Sequence, residues 1–162
     1  MSYILPSELE QLLSTPSKRS TFLIIDVRSS DFVGGNIPGA LNLTTDKFSS
    51  PMKLERTIAQ HIVPKVSEGL SLIIVHCMRS QTRGPYVSHS LNSSPSLPQG
   101  VQVKILKGGY QAWYRTYKGR KELFENLDEE EQEEWEDVVN ANEGDKEEAE
   151  DSKELRERLA KE

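Results

Sequence analysis

Three short apolar runs limit what this chain can fold into: residues 22–27 (Phe-Leu-Ile-Ile-Asp-Val), 70–76 (Leu-Ser-Leu-Ile-Ile-Val-His) and 101–106 (Val-Gln-Val-Lys-Ile-Leu). They are strand-length and rich in β-branched residues. A strand with one wet face alternates apolar and polar positions. A nearly continuous apolar run needs both faces covered, as in a parallel sheet sandwiched between helices. A fourth, short strand is expected at 40–43.

Helical spacing fills the gaps. Residues 6–13 place Pro6 early and repeat Leu9, Leu12 and Leu13 along one side. Residues 52–63 put Leu54, Ile58, Ile62 and Val63 on one face. A helix is expected from Arg83 to about Leu91, and residues 92–100 read as a loop. A last helix starts near Gly108-Gly109 and buries Tyr110, Trp113 and Tyr117. Strands alternating with helices predict an α/β domain with three layers and a central, mainly parallel sheet.

Charge divides the chain in two. Residues 1–121 carry 15 Lys/Arg against 7 Asp/Glu, a net of +8, while residues 122–162 carry 5 against 19, a net of −14, giving the overall −6. A basic body concentrates anionic ligands around itself. It shows no interleaving of basic and aromatic residues and no zinc-ligand spacing, so nucleic acid is not an expected partner. The acidic part is too poor in apolar residues to make a core. The expected organisation is a catalytic domain over 1–121 and an acidic, helical or disordered extension over 122–162. The extension suits a basic partner. In a bolder reading, residues 128–137 lie across the basic mouth of the domain and compete with substrate.

No stretch approaches the roughly 18 apolar residues of a membrane span, and the N-terminus lacks the basic-then-apolar pattern of a signal peptide. Cys77 is the single cysteine, so no intrachain disulfide can form. A cytoplasmic or nuclear setting is expected, with no membrane partner.

The chemistry concentrates in residues 73–85, Ile-Ile-Val-His-Cys-Met-Arg-Ser-Gln-Thr-Arg-Gly-Pro. An apolar strand ends at His76. Cys77 and Arg83 then flank a five-residue loop, and a helix follows. A tight loop before a helix can aim successive N–H groups into one concavity, a natural cradle for a tetrahedral anion. The expected cradle is the backbone of Met78, Arg79, Ser80, Gln81 and Thr82, with Ser80 also placed to hydrogen-bond the sulfur or the anion. Arg83 supplies a permanently charged planar fork. The same environment favours a thiolate at Cys77, the nucleophilic form. No metal is needed. The plain alternative is a buried structural cysteine beside a solvated arginine.

Residues 76–85 resemble the active loop of the M-phase inducer dual-specificity phosphatases, and equally that of the related fungal arsenate reductases. Both have the rhodanese fold. Residues 25–28 (Ile-Asp-Val-Arg) with 35–40 (Gly-Asn-Ile-Pro-Gly-Ala) are similar to the N-terminal rhodanese motif, and 106–113 (Leu-Lys-Gly-Gly-Tyr-Gln-Ala-Trp) to the C-terminal one. The resemblance spans roughly 3–118. It implies a phosphatase acting on phosphorylated protein, of tyrosine or dual specificity, through a phosphocysteine. The alternative it implies is an arsenate reductase using external glutathione and glutaredoxin. Sulfur-transferring rhodaneses come third, because their loop is one residue shorter. A non-catalytic module binding phospho-ligands keeps the cradle without the chemistry. The phosphatases carry Glu where this chain has Met78, so an in-loop general acid is missing, and their second, rescuing cysteine is absent. No cofactor is implied beyond glutathione in the reductase case.

Three further residues are expected to support the site. Asp26 and Arg28 are expected to fix neighbouring loops by hydrogen bonds. His76 is expected to be buried and to shape the loop through its backbone. Trp113 and Tyr110 read as core anchors. Arg115, Lys118, Arg120 and Lys121 are either a steering patch for anions or a solvated helix face.

Overall fold

The computed structural model describes residues 1–127. Strands β1 (Tyr3–Ile4), β2 (Phe22–Asp26), β3 (Leu41–Asn42), β4 (Leu72–His76) and β5 (Gln102–Leu106) form one sheet in the order β1-β5-β4-β2-β3. Every pairing is parallel. The helices are α1 (Pro6–Leu13), α2 (Pro51–Thr57), α3 (Val63–Val66), α4 (Arg83–Ser93) and α5 (Gly109–Tyr117).

The two sheet faces separate cleanly by strand alternation. Leu23 and Ile25 of β2 and Ile73 and Val75 of β4 join one core with Ile58, Ile62, Val87 and Leu91. Phe22 and Ile24, with Ile74, join a second core containing Leu9, Leu106, Tyr110 and Trp113. Central strands covered on both sides explain why the apolar runs are nearly unbroken.

Two elements differ from expectation. The helix expected over 52–63 is broken: α2 stops at Thr57, a π-helical turn spans Ile58–Ile62, and α3 follows. Pro64 explains the break, since it has no N–H to donate and its ring crowds the carbonyl four residues earlier. Ile58 and Ile62 stay fully buried across the wider turn. Strand β1 was not expected, because two residues carry no pattern. It exists through its partner: Ile105 N–H donates to Ser2 O and Lys107 N–H to Ile4 O, at 2.9 and 3.0 Å.

The boundary expected after residue 121 falls inside packed structure. Leu123 and Phe124 are buried in the second core. Trp113 Nε1–H donates to Leu123 O at 3.0 Å, and Asn36 and Glu125 exchange two backbone hydrogen bonds of 2.9 Å. The remaining acidic extension, including 128–137, lies outside the described residues.

Asp26 and His76 are register partners at the C-terminal ends of β2 and β4. Ligands of open α/β sheets bind beyond this edge, and the candidate residues lie at these strand ends, in the loop after β4 and at the start of α4.

Candidate active site

The chain leaves β4 at His76 and bends through 78–82 before α4 begins at Arg83. Strand alternation carries Cys77 into the α4-side core and Met78 into the α5-side core. Ser80 adopts a left-handed backbone (φ 57°), which folds the loop back so that Ser80 N–H donates to Cys77 Sγ at 3.1 Å. A hydrogen bond aimed at sulfur stabilises its ionised form.

Helix α5 holds the loop from the other side. Tyr110 N–H donates to Cys77 O at 3.0 Å and Gln111 N–H to Met78 O at 2.8 Å. In a trans peptide the C=O and the following N–H point in opposite directions. Drawing these carbonyls to α5 therefore turns the N–H groups of Met78 and Arg79 away from it. The approach requires Gly109, which has φ +62° and where a Cβ would lie 2.6 Å from each of the two carbonyl oxygens. At the base of the loop, a Cβ on Gly84 would sit 3.5 Å from Ser80 Oγ, so the first turn of α4 packs directly beneath it.

Not every expected role falls to a side chain. Met78 is 4% exposed within the apolar core, so it can meet an anion only through its backbone. Ser80 Oγ is buried and makes no hydrogen bond, so the N–H, not the hydroxyl, reaches the sulfur. Thr82 is buried at the N-cap position of α4 without a side-chain cap bond. Arg79 is half-buried and Gln81 exposed.

Arg83 is 1% exposed and forms a two-point pair with Asp31: Nη1 donates to Oδ1 at 2.8 Å and Nη2 to Oδ2 at 2.6 Å. Asp31 was not singled out from the sequence. It lies five residues beyond the end of β2 and meets Arg83 only in the fold. Burial pushes its carboxyl upward, but Arg83, the Ser29 N–H and Arg28 outweigh burial and hold it below the ordinary 3.8.

A second buried network lies beneath. Arg28 donates to both oxygens of Asp26 at 2.8–3.0 Å, and its backbone N–H adds a further bond to Oδ1 of 3.1 Å. Its guanidinium also donates to Val33 O at 3.1 Å and Gly35 O at 2.9 Å, stapling the loop that carries Asp31. The rings of Tyr110 and Phe32 lie 4.1 and 4.9 Å from its Cζ. His76 is fully buried, with Nδ1 3.0 Å from Cys77 O and Nε2 3.8 Å from Asp26 Oδ2. Burial pushes His76 below the ordinary 6.5 despite the pull of Asp26, so the imidazole is neutral at pH 7. Burial raises Asp26, yet His76, once it is protonated in acid, and Arg28, by charge and hydrogen bonds, outweigh it and the net shift is downward.

These directions fix the sign of the pH dependence. Below the ordinary histidine value of 6.5, the unfolded chain binds a proton that folded His76 refuses, so stability falls with pH. Below the ordinary carboxylate value of 3.8, Asp26 and Asp31 add a second loss, complete once pH has passed below their folded values. Urea midpoints measured from pH 8 to pH 3 are expected to fall in two stages. His76→Gln is expected to remove the first stage only.

Comparison with known proteins places this geometry. A family model described as a rhodanese-like domain matches residues 5–116. The dual specificity phosphatase ibp1 of Schizosaccharomyces pombe is 32% identical over 144 residues, covering 77% of this chain and 96% of that protein. The solved structure of a yeast protein tyrosine phosphatase of the rhodanese family aligns with TM-score 0.62 at 27% identity, over 76% of this chain and 90% of its own. An As-Sb reductase from Leishmania major aligns with TM-score 0.63 at 25% identity, over 86% and 98% respectively.

Proposed function

This chain belongs to the rhodanese-like domain family, and we propose that within it the chain is a cysteine-dependent phosphatase acting on phosphate monoesters of the phosphotyrosine type. The observation that carries this reading is the Ser80 N–H directed at Cys77 Sγ, in a loop whose carbonyls are drawn back to α5. Cys77 is fully buried, so substrate reaches the sulfur as the loop opens; the sulfur then attacks phosphorus while the loop N–H groups and Arg83 hold the equatorial oxygens. The S–P bond forms as the P–O bond to the leaving group breaks, and the alcohol leaves with a proton from the substrate monoanion or solvent. Water then cleaves the S–P bond, releasing phosphate and restoring the thiolate. The phosphatases among the relatives support this reading.

A second reading is favoured by the likeness to the Leishmania major reductase and by the single cysteine. Here Cys77 attacks arsenic, and external glutathione supplies the electrons that reduce arsenate to arsenite. One paired assay separates the two: hydrolysis of p-nitrophenyl phosphate beside arsenate-dependent NADPH oxidation in a glutathione–glutaredoxin mixture. Phosphate release with a trapped phosphoprotein that is stable in alkali and labile in mild acid, as an S–P bond is, supports the phosphatase. NADPH oxidation without hydrolysis replaces it with the reductase. Silence in both leaves a phospho-ligand binding module.

A further inference from the structure

Arg83 is held by a carboxylate that the proposed chemistry does not itself require. We propose that Asp31 is the positioning residue of the oxyanion site. It grips the far end of the Arg83 guanidinium so that the remaining N–H groups are fixed in place before the anion arrives. The inference rests on reading the 77–83 loop as an oxyanion cradle.

The geometry supports a permanent grip. Asp31 takes one hydrogen from each terminal nitrogen of Arg83, at 2.8 and 2.6 Å. A guanidinium has five, so an adjacent edge can hold an oxyanion while Asp31 stays bound. Asp31 is itself anchored: Ser29 N–H donates to its Oδ1 at 3.1 Å, and Arg28 Nη1 lies 3.5 Å from its backbone carbonyl oxygen. Arg28 is fixed in turn on Asp26 at the end of β2. The position of Arg83 is thus referred to the central sheet by way of the 29–35 loop. An arginine has many rotamers, and fixing it beforehand removes an ordering cost from the binding step.

The competing possibility is that Asp31 merely fills the guanidinium fork and must leave when the anion enters. The Asp31 carboxylate is bonded on both oxygens and its side chain is only 7% exposed. Swinging it out would break the Ser29 bond and both bonds to Arg83. The two possibilities predict opposite effects of removing the charge.

The experiment follows iodoacetamide alkylation of Cys77 against pH, with and without inorganic phosphate, in wild type, Asp31→Asn and Asp31→Glu. Thermal melts confirm folding. The other charged or titratable groups around this end of the sheet are Asp26, Arg28, His76 and Arg79, and all are retained. In Asp31→Asn, phosphate protects about tenfold less well and kcat/KM for p-nitrophenyl phosphate falls about 100-fold. The alkylation midpoint moves down by about one unit, because Arg83 loses its counter-charge. In Asp31→Glu the charge is kept but the arm is longer. Protection weakens while the midpoint stays. Tighter or unchanged protection in Asp31→Asn overturns the proposal, as does a midpoint that rises, the mark of a merely loosened loop. If Asp31→Asn does not fold, unchanged protection in Asp31→Glu overturns it alone. Alkylation needs no turnover, so a wild type that hydrolyses nothing defeats the phosphatase reading without deciding the role of Asp31.

Discussion

Cys77→Ser is expected to lower turnover of an aryl phosphate by about 10⁴-fold or more while leaving the fold intact. Serine is close to cysteine in size and can still accept the Ser80 N–H. It cannot supply an ionised nucleophile at neutral pH, because a hydroxyl holds its proton far more tightly than a thiol. The loss should therefore fall on kcat, with little change in the thermal midpoint. Rapid quenching with labelled substrate checks the cause: the wild type accumulates label on the protein and the variant does not. Turnover above about one per cent of wild type would remove Cys77 from the chemistry.

Arg28→Met is expected to produce the largest loss of stability, about 3–5 kcal/mol. The substitution leaves Asp26 as a bare carboxylate inside the protein, at 0% exposure. It also strips a donor from the buried Gly35 O and from the part-buried Val33 O. For a domain of this size the melting temperature should fall by about 10–20 °C. Urea unfolding with an unchanged slope gives the free energy directly. Pairing the change with Asp26→Leu should recover part of the loss, since removing both charges ends the desolvation penalty. A loss below about 1 kcal/mol would mean that Asp26 is neutralised in some other way.

The sheet was legible because its central strands are covered on both faces, and burial of that kind writes a nearly unbroken apolar run at residues 22–27, 70–76 and 101–106. Strand β1 was not legible, because it is specified by the backbone of β5 and not by its own two side chains. The break at Ile58–Ile62 had a visible cause in Pro64, but the helical spacing of Ile58 and Ile62 masked it. Around Cys77, the order of strand, loop and helix over residues 76–83 could be read because these elements lie consecutively. Asp31 could not, because its significance lies in meeting Arg83 across 52 residues of sequence. That Ser80 reaches the sulfur through its N–H and not its hydroxyl was not legible either. Loop composition does not say which side of the peptide plane faces the sheet.

The clamp of α5 on the loop after β4 has a consequence for the birth of the protein. The amides that restrain Cys77 and Met78 belong to residues made more than thirty positions later. A ribosome adds roughly 5–20 residues per second, and its exit tunnel delays their appearance further. For that interval the emerging polypeptide carries a thiol with no finished pocket around it. Translation arrested before Gly109 would yield a fragment that holds Cys77 but lacks the brace that shapes its surroundings.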